Sequence, residues 1–135
     1  MAGGALDLKA GSINSTGTLN VTADSALNMQ NDQADTLTMG KLTGTNSIIA
    51  SIDVLLDPRT ADKFDIAVRE GGKIVIDSIS IVNEHAYGDK TRVVKIAEGA
   101  VAEHISFAID EVFAADGDRY TFIYDPATGT LKFIN

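Results

Sequence analysis

The feature that most limits what this chain can fold into is a series of short apolar–polar–apolar triplets spaced by small polar turns. Leu6-Asp7-Leu8, Leu19-Asn20-Val21, Leu27-Asn28-Met29 and Leu37-Thr38-Met39 alternate with period two, the pattern of a strand that buries one face. Between them lie Gly11-Ser12, Asn14-Ser15-Thr16-Gly17 and Asn31-Asp32-Gln33, all turn formers. Strands this short do not build an ordinary sandwich, where five or six residues are typical. They suit a coil in which each strand stacks on its equivalent one rung away. Ala34-Asp35-Thr36-Leu37-Thr38-Met39 recurs 27 positions later as Ala61-Asp62-Lys63-Phe64-Asp65-Ile66. A looser copy, Ala23-Asp24-Ser25-Ala26-Leu27-Asn28-Met29, carries one extra residue. Repeats of this period signal a solenoid, because one unit cannot bury its apolar face without neighbours.

The middle of the chain is richer in β-branched residues. Ile48, Ile49, Ile52 and Val54 precede Phe64, Ile66 and Val68, and then comes Lys73-Ile74-Val75-Ile76-Asp77-Ser78-Ile79-Ser80-Ile81-Val82. That stretch slips phase at Asp77-Ser78, which predicts two strands meeting at a corner, with Gly71-Gly72 as the preceding turn. Arg92-Val93-Val94-Lys95-Ile96 is strand-like. The window 98–114 is ambiguous. Val101, Ile105, Ala108, Ile109 and Val112 make a helical face, while Ile105, Phe107 and Ile109 make a strand. Tyr120-Thr121-Phe122-Ile123-Tyr124 and Thr130-Leu131-Lys132-Phe133-Ile134 flank Asp125-Pro126-Ala127-Thr128-Gly129. Asp before Pro opens a type I turn there, and Gly129 takes the left-handed position that closes a hairpin. Strand parity places Tyr120, Phe122 and Tyr124 inward and Thr121 and Ile123 outward. A hairpin here would also cover the last rung's edge.

The expected fold is therefore all-β: a right-handed parallel β-helix, or β-solenoid, with a C-terminal β-hairpin cap and room for one short helix near 98–114. At twenty-odd residues per rung it would hold roughly five to six rungs and run about 25–30 Å. Residues 1–135 would form one domain, in keeping with the length of the chain.

Composition excludes several functions. With 11 basic against 19 acidic residues the formal charge is -8, which disfavours nucleic acid and anionic membrane surfaces. The absence of cysteine removes disulfides, thiolate metal sites and thiol nucleophiles. Apolar runs of about four residues are far short of the roughly 20 that span a bilayer. Met1-Ala2-Gly3-Gly4 leads into polar sequence rather than a signal peptide. The chain opens in mid-pattern and closes on a strand, so a fragment of a larger exported protein is expected.

The candidate chemistry is sparse. Asp53, Asp57, Asp62 and Asp65 are clustered, and two carboxyls about 5–10 Å apart could cleave a glycoside, but such residues more often end strands and solubilise turns. Asp116-Gly117-Asp118 lacks the further oxygen ligands of a calcium loop and reads as a turn. His85 sits in a polar loop and His104 in the ambiguous window. Neither has a second histidine at metal-clamp spacing. No Gly-x-Ser-x-Gly elbow or phosphate loop occurs. No catalytic, cofactor-binding or metal-ligating residue is assigned, and the chain is not expected to be an enzyme.

Gly4-Ala5-Leu6-Asp7-Leu8-Lys9-Ala10-Gly11 and Thr16-Gly17-Thr18-Leu19-Asn20-Val21-Thr22-Ala23 resemble the repeats of filamentous haemagglutinin-like secreted adhesins and bacterial autotransporter passengers. Ala61 to Ile66, the Gly-Gly-Lys-Ile-Val-Ile strand and Ile79-Ser80-Ile81-Val82-Asn83 are similar to later passenger rungs, and Tyr120 to Phe133 looks like a terminal unit. The resemblance implies a structural or adhesive passenger segment, secreted or on a bacterial cell surface. Its partner would be a host or neighbouring-cell surface protein or glycan. A monomer is expected, with end-to-end association at an uncapped edge as a further option. No translocator barrel and no Arg-Gly-Asp tripeptide accompany the repeats, so anchor and receptor stay unassigned. The alternatives are a carbohydrate-binding or polysaccharide-cleaving β-helix and a trimeric phage spike.

Overall fold

The computed structural model describes residues 3–7, 11–56, 59–82, 91–114 and 117–134. In chain order its strands are β1 (Ala5–Asp7), β2 (Ile13–Asn14), β3 (Thr18–Val21), β4 (Ser25–Asn28), β5 (Thr36–Gly44), β6 (Ser47–Leu55), β7 (Thr60–Ala61) and β8 (Lys63–Arg69). They continue as β9 (Lys73–Val82), β10 (Thr91–Lys95), β11 (Ala97–Gly99), β12 (Ile105–Phe107), β13 (Glu111–Phe113), β14 (Arg119–Asp125) and β15 (Thr130–Ile134), with one 3-10 turn at Ala100–His104.

Two parallel sheets form a β-solenoid of about 3 turns. One stacks β1-β4-β6-β9-β12, with short β7 folded back antiparallel on β6; the other stacks β11-β8-β5, with β2 and β3 side by side on β5. At ~4.8 Å per strand the five strands of the first stack span roughly 20 Å. Both the turn count and this length fall below the sequence expectation. A full turn takes more residues than expected, as where Leu37 pairs with Phe64 and Ile74 with Ile105. The chain beyond β12 leaves the stack altogether.

The 27-residue repeat is a true rung. Thr36, Leu37, Thr38 and Met39 lie in register against Lys63, Phe64, Asp65 and Ile66. The looser copy is not a third layer of that sheet. Ser25 to Asn28 belong to the opposite sheet, against Ile48 to Ser51. Inward positions repeat the same kind of side chain: Ile48, Ile74 and Ile105 stack in one column, Leu37, Phe64 and Ala97 in another, and all are buried. Apolar side chains in successive layers give continuous contact along each column.

The phase slip at Asp77-Ser78 is a bulge inside one strand rather than a corner between two. Ala50 pairs with Ile76 but Ser51 with Ser78, so Asp77 is the extra residue and points to solvent, while Ile79 and Ile81 return to the core. At the turn leading into β6, Gly44 adopts φ 118, and a Cβ there would lie 2.1 Å from the Val21 carbonyl oxygen. Gly71, one layer on, meets the Gly44 carbonyl at the same distance. Three turns of backbone thus pass too closely for any side chain.

The last rung is closed by an antiparallel sheet ordered β10-β15-β14-β13. The hairpin expected at 120–134 forms, with Asp125 opposite Thr130 and Gly129 at φ 69. Its loop carbonyl at Gly129 accepts from the amides of Ile96 and Ala97 at edge strand β11. Tyr120 is buried and Phe122 and Tyr124 half-buried on the inner face, with Thr121 and Ile123 outside, as parity required. Phe107 of the last rung meets Phe122 and Tyr124 at ring-centroid distances of 5.0 and 5.5 Å. The short helix near 98–114 is present as a 3-10 turn, but the longer helical face from Val101 to Val112 does not form. Only the single 3-10 turn forms, and Ile105 and Val112 lie on separate strands whose connecting bend places apolar residues at helix-like intervals.

Candidate functional site

One corner of the solenoid gathers the acidic cluster seen in the sequence. The chain leaves β6, turns, and returns as β7, which sets Val54 opposite Ala61 and so brings Asp53 beside Asp62. The two are locked reciprocally. The Asp62 amide donates to the Asp53 carbonyl at 2.9 Å, and the Asp53 amide donates to Asp62 Oδ2 at 2.7 Å. Asp62 Oδ1 accepts the amide of Asp35, one rung away, at 2.8 Å, and the Lys63 amide answers to the Asp35 carbonyl. Asp53 Oδ2 in turn accepts the successive amides of Asn31 and Asp32 at 2.7 and 2.9 Å. Asp32 has φ 64, so this turn is a cradle of amides around a carboxylate. Asp35, also buried, accepts from the Asn31 side chain.

Asp53 and Asp62 are both fully buried, at 0% exposure. Burial pushes the Asp62 carboxyl up to about 7 against the lowering pull of its two amide donors, and the negative charges of Asp53 and Asp35 add to the rise. Burial also raises Asp53. Asp53 Oδ1 is buried without a hydrogen-bond partner, so a proton there would break no existing bond. The chemistry of this corner is that of a staple. Its carboxylate oxygens satisfy strand-end amides that would otherwise be buried and unpaired, and Asp53 and Asp62 are not exposed. A glycoside-cleaving pair needs carboxyls open to substrate. Asp65 is apart from the staple, half-buried on β8 beside Glu98 of β11, and Asp57 lies outside the described residues.

The Ala-Asp pattern was the legible trace of this device, although its meaning was not. Ala23-Asp24 uses it on the other sheet, where Asp24 Oδ1 accepts the amide of Ser47 at the start of β6, 2.8 Å away. The other sequence candidates have simpler fates. His104 closes the 3-10 turn half-buried and lines an open pocket of about 300 Å³ with Arg69 and Glu103. Gly117 and Asp118 form the turn between β13 and β14, with the Ala114 amide donating to the Asp118 carbonyl. His85 and Asp116 lie outside the described residues.

Sequence reasoning missed a basic pocket. Ala34, Thr36, Arg59, Thr60, Ala61, Lys63 and Lys95 line an open cavity of about 280 Å³ where the solenoid meets the closing sheet. Glu98 holds both lysines, accepting from Lys63 at 3.3 Å and Lys95 at 3.2 Å, and these two ammonium groups hold its carboxyl below the usual range. Arg59 and Lys63 lie on either side of short β7, whereas Lys95 comes from the end of β10. Only the register of Thr36 against Lys63 hinted that any of them would meet. No protein-family model, curated protein or solved structure matches the chain.

Proposed function

We propose that the chain is a non-enzymatic structural and adhesive segment of a secreted or surface-displayed bacterial protein, of the kind built by autotransporter passengers and haemagglutinin-like adhesins. The observation that supports this best is the fate of the acidic cluster. Its carboxylates are fully buried and occupied with backbone amides of neighbouring rungs. What remains for function is shape, a stiff stack of parallel strands with regular outer faces and one closed end. Such a body holds a binding surface at a fixed distance from whatever precedes it. The partner is a protein or glycan on another cell's surface, and the segment works as a monomer.

The test uses the purified full chain. Light scattering should give about the 14.2 kDa monomer mass. Fluorescently labelled protein should bind cultured cells saturably, and a broad polysaccharide panel should be left uncleaved. Cleavage of any member would replace this reading with the glycan-processing one, and a trimer would replace it with a fibre. Absence of saturable binding to every cell type would remove the adhesive role.

A further inference from the structure

We infer that the pocket between the 3-10 turn and the β14–β15 loop binds one neutral sugar residue of a glycan. Its polar side is made by Arg69, the last residue of β8, and by Glu103 and His104 on the turn. Most other charged groups described above are already engaged, Glu98 and Glu111 by cations and Asp53 and Asp62 by backbone amides. These three are not. Among the described residues, no group bonds the side chain of Glu103 or His104. Arg69 donates from Nε to the Gly72 carbonyl at 2.7 Å, which fixes the plane of the guanidinium and leaves its two terminal nitrogens without a partner among the described residues.

Both walls are held in place before any ligand arrives. Val101 and Ala102 of the turn are buried, and the Tyr124 hydroxyl donates to the Ala102 carbonyl. The loop opposite is fixed by the Ala127 amide, which donates to Asp125 Oδ1, and by the Gly129 carbonyl, which takes the amides of Ile96 and Ala97. A preformed site loses less ordering entropy on binding. The lining carries one guanidinium and one carboxylate, so its charges cancel, and an uncharged ligand is favoured over an anion or a cation. The same pair offers donors and acceptors side by side. A sugar hydroxyl uses both, accepting from a guanidinium N–H and donating to a carboxylate, and a neutral imidazole adds one donor and one acceptor. Ala100, Pro126 and Ala127 supply a small apolar surface for the C–H face of the ring. An open cavity of about 300 Å³ holds one ring and lets the rest of the glycan run out to solvent.

This site deepens the adhesive reading, on which its biological use rests, by giving the glycan partner a place on the chain. The test is an amide-resolved NMR titration of the full chain with methyl glucoside, methyl galactoside and methyl mannoside in separate arms. Sodium glucuronate and glucosamine hydrochloride, at constant ionic strength, are the charged arms. At least one neutral sugar should give saturable shifts at Arg69, residues 99–104 and Ala127, with a roughly millimolar midpoint. Both charged sugars should bind more weakly than that one. Glu103→Ala, at an exposed position with no partner to lose, should weaken the midpoint about tenfold and leave the thermal melt in place. Arg69→Gln should weaken it as well; if it also disturbs the turn at Gly72, Glu103→Ala decides alone. Shifts that do not saturate, that centre elsewhere or that survive Glu103→Ala would overturn the proposal, as would a charged sugar binding more tightly than every neutral one. Cell binding without any sugar shift would remove this site and leave the adhesive reading, whereas sugar shifts in a chain that binds no cell would do the reverse.

Discussion

The stacked body and the sheet that closes it solve the same burial problem with different chemistry. In the body each buried position is repeated one rung away, so branched aliphatics such as Ile48, Ile74 and Ile105 suffice. The corners must then satisfy amides that no strand partner reaches, and Asp35, Asp53 and Asp62 do so. The closing sheet has nothing to repeat against. It fills an irregular space over the last rung with Tyr120, Phe122, Tyr124 and Phe133, rings in edge or tilted contact with one another and with Phe107 of that rung at 5.0 to 6.3 Å. Its outer face is unlike the body as well. Among the described residues, the exposed large apolar side chains are Val93, Phe113, Ile123 and Ile134 on this sheet, against Val68 alone on the body. A repeat can be extended by the same rules that built it, whereas its end must be specified separately.

The largest effects should come from deleting a ring on each side of that divide. Phe64 and Phe133 are both fully buried, and either change to Ala should cost about 3–5 kcal/mol in denaturant unfolding. The two should differ in what opens first. Phe133→Ala should raise amide exchange over β10, β14 and β15 while the β5, β6, β8 and β9 amides stay protected. Phe64→Ala should loosen β5, β8 and β11 together. Equal loss of protection everywhere in both variants would mean that body and cap form one cooperative unit.

The same divide explains what the sequence revealed. The rung at Ala34–Met39 and Ala61–Ile66 was legible because stacked layers need similar residues at equal spacing, and a linear pattern records that directly. So was the inward parity of Tyr120, Phe122 and Tyr124, a local property of one strand. Contacts made by a chain reversal were not legible. Asp53 meets Asp62 because β7 pairs antiparallel with the end of β6, and nothing in the spacing of two aspartates encodes that. Arg59, Lys63 and Lys95 converge for a similar reason. Asp77 was located correctly as a break but misassigned, since a bulge and a corner leave the same one-residue slip in the alternation.

The staple should give the body a pH dependence that the cap lacks. Asp62 moves from 3.8 unfolded to about 7 folded, so the native state holds the proton more tightly. Its contribution to stability is fully present below about pH 4, falls as pH rises, and is gone above about 7. At ~1.4 kcal/mol per pKa unit the ceiling is about 4 kcal/mol. Asp53, also raised, acts in the same direction. Urea midpoints should therefore rise as pH falls from 8 to 5, opposite to the usual behaviour of ion-paired carboxylates. Relief of the net charge of -8 also favours acid, so the decisive comparison is Asp62→Asn, which should flatten the slope. An unchanged slope in that variant would assign the whole effect to net charge.

The smallest effect concerns the tie between the two regions. The Tyr124 hydroxyl donates to the Ala102 carbonyl in the 3-10 turn at 2.5 Å, joining the closing sheet to the chain segment that leads into the last rung. Burial pushes this phenol up to about 12, with the Asp125 charge adding to the rise. The bond therefore keeps its proton across the range in which Asp62 titrates, and its contribution declines only as pH rises from about 10 through about 12. Tyr124→Phe removes one neutral hydrogen bond and keeps the ring against Phe107, so a loss of about 1 kcal/mol is expected, the same at pH 5 and pH 8. Amide exchange should rise at Ala100–His104 and in the β14–β15 loop and stay unchanged at the Asp53–Asp62 corner. A loss several times larger, or one that varies between pH 5 and pH 8, would show that the cap and the carboxylate staple are energetically coupled and that the two regions do not unfold as separable units.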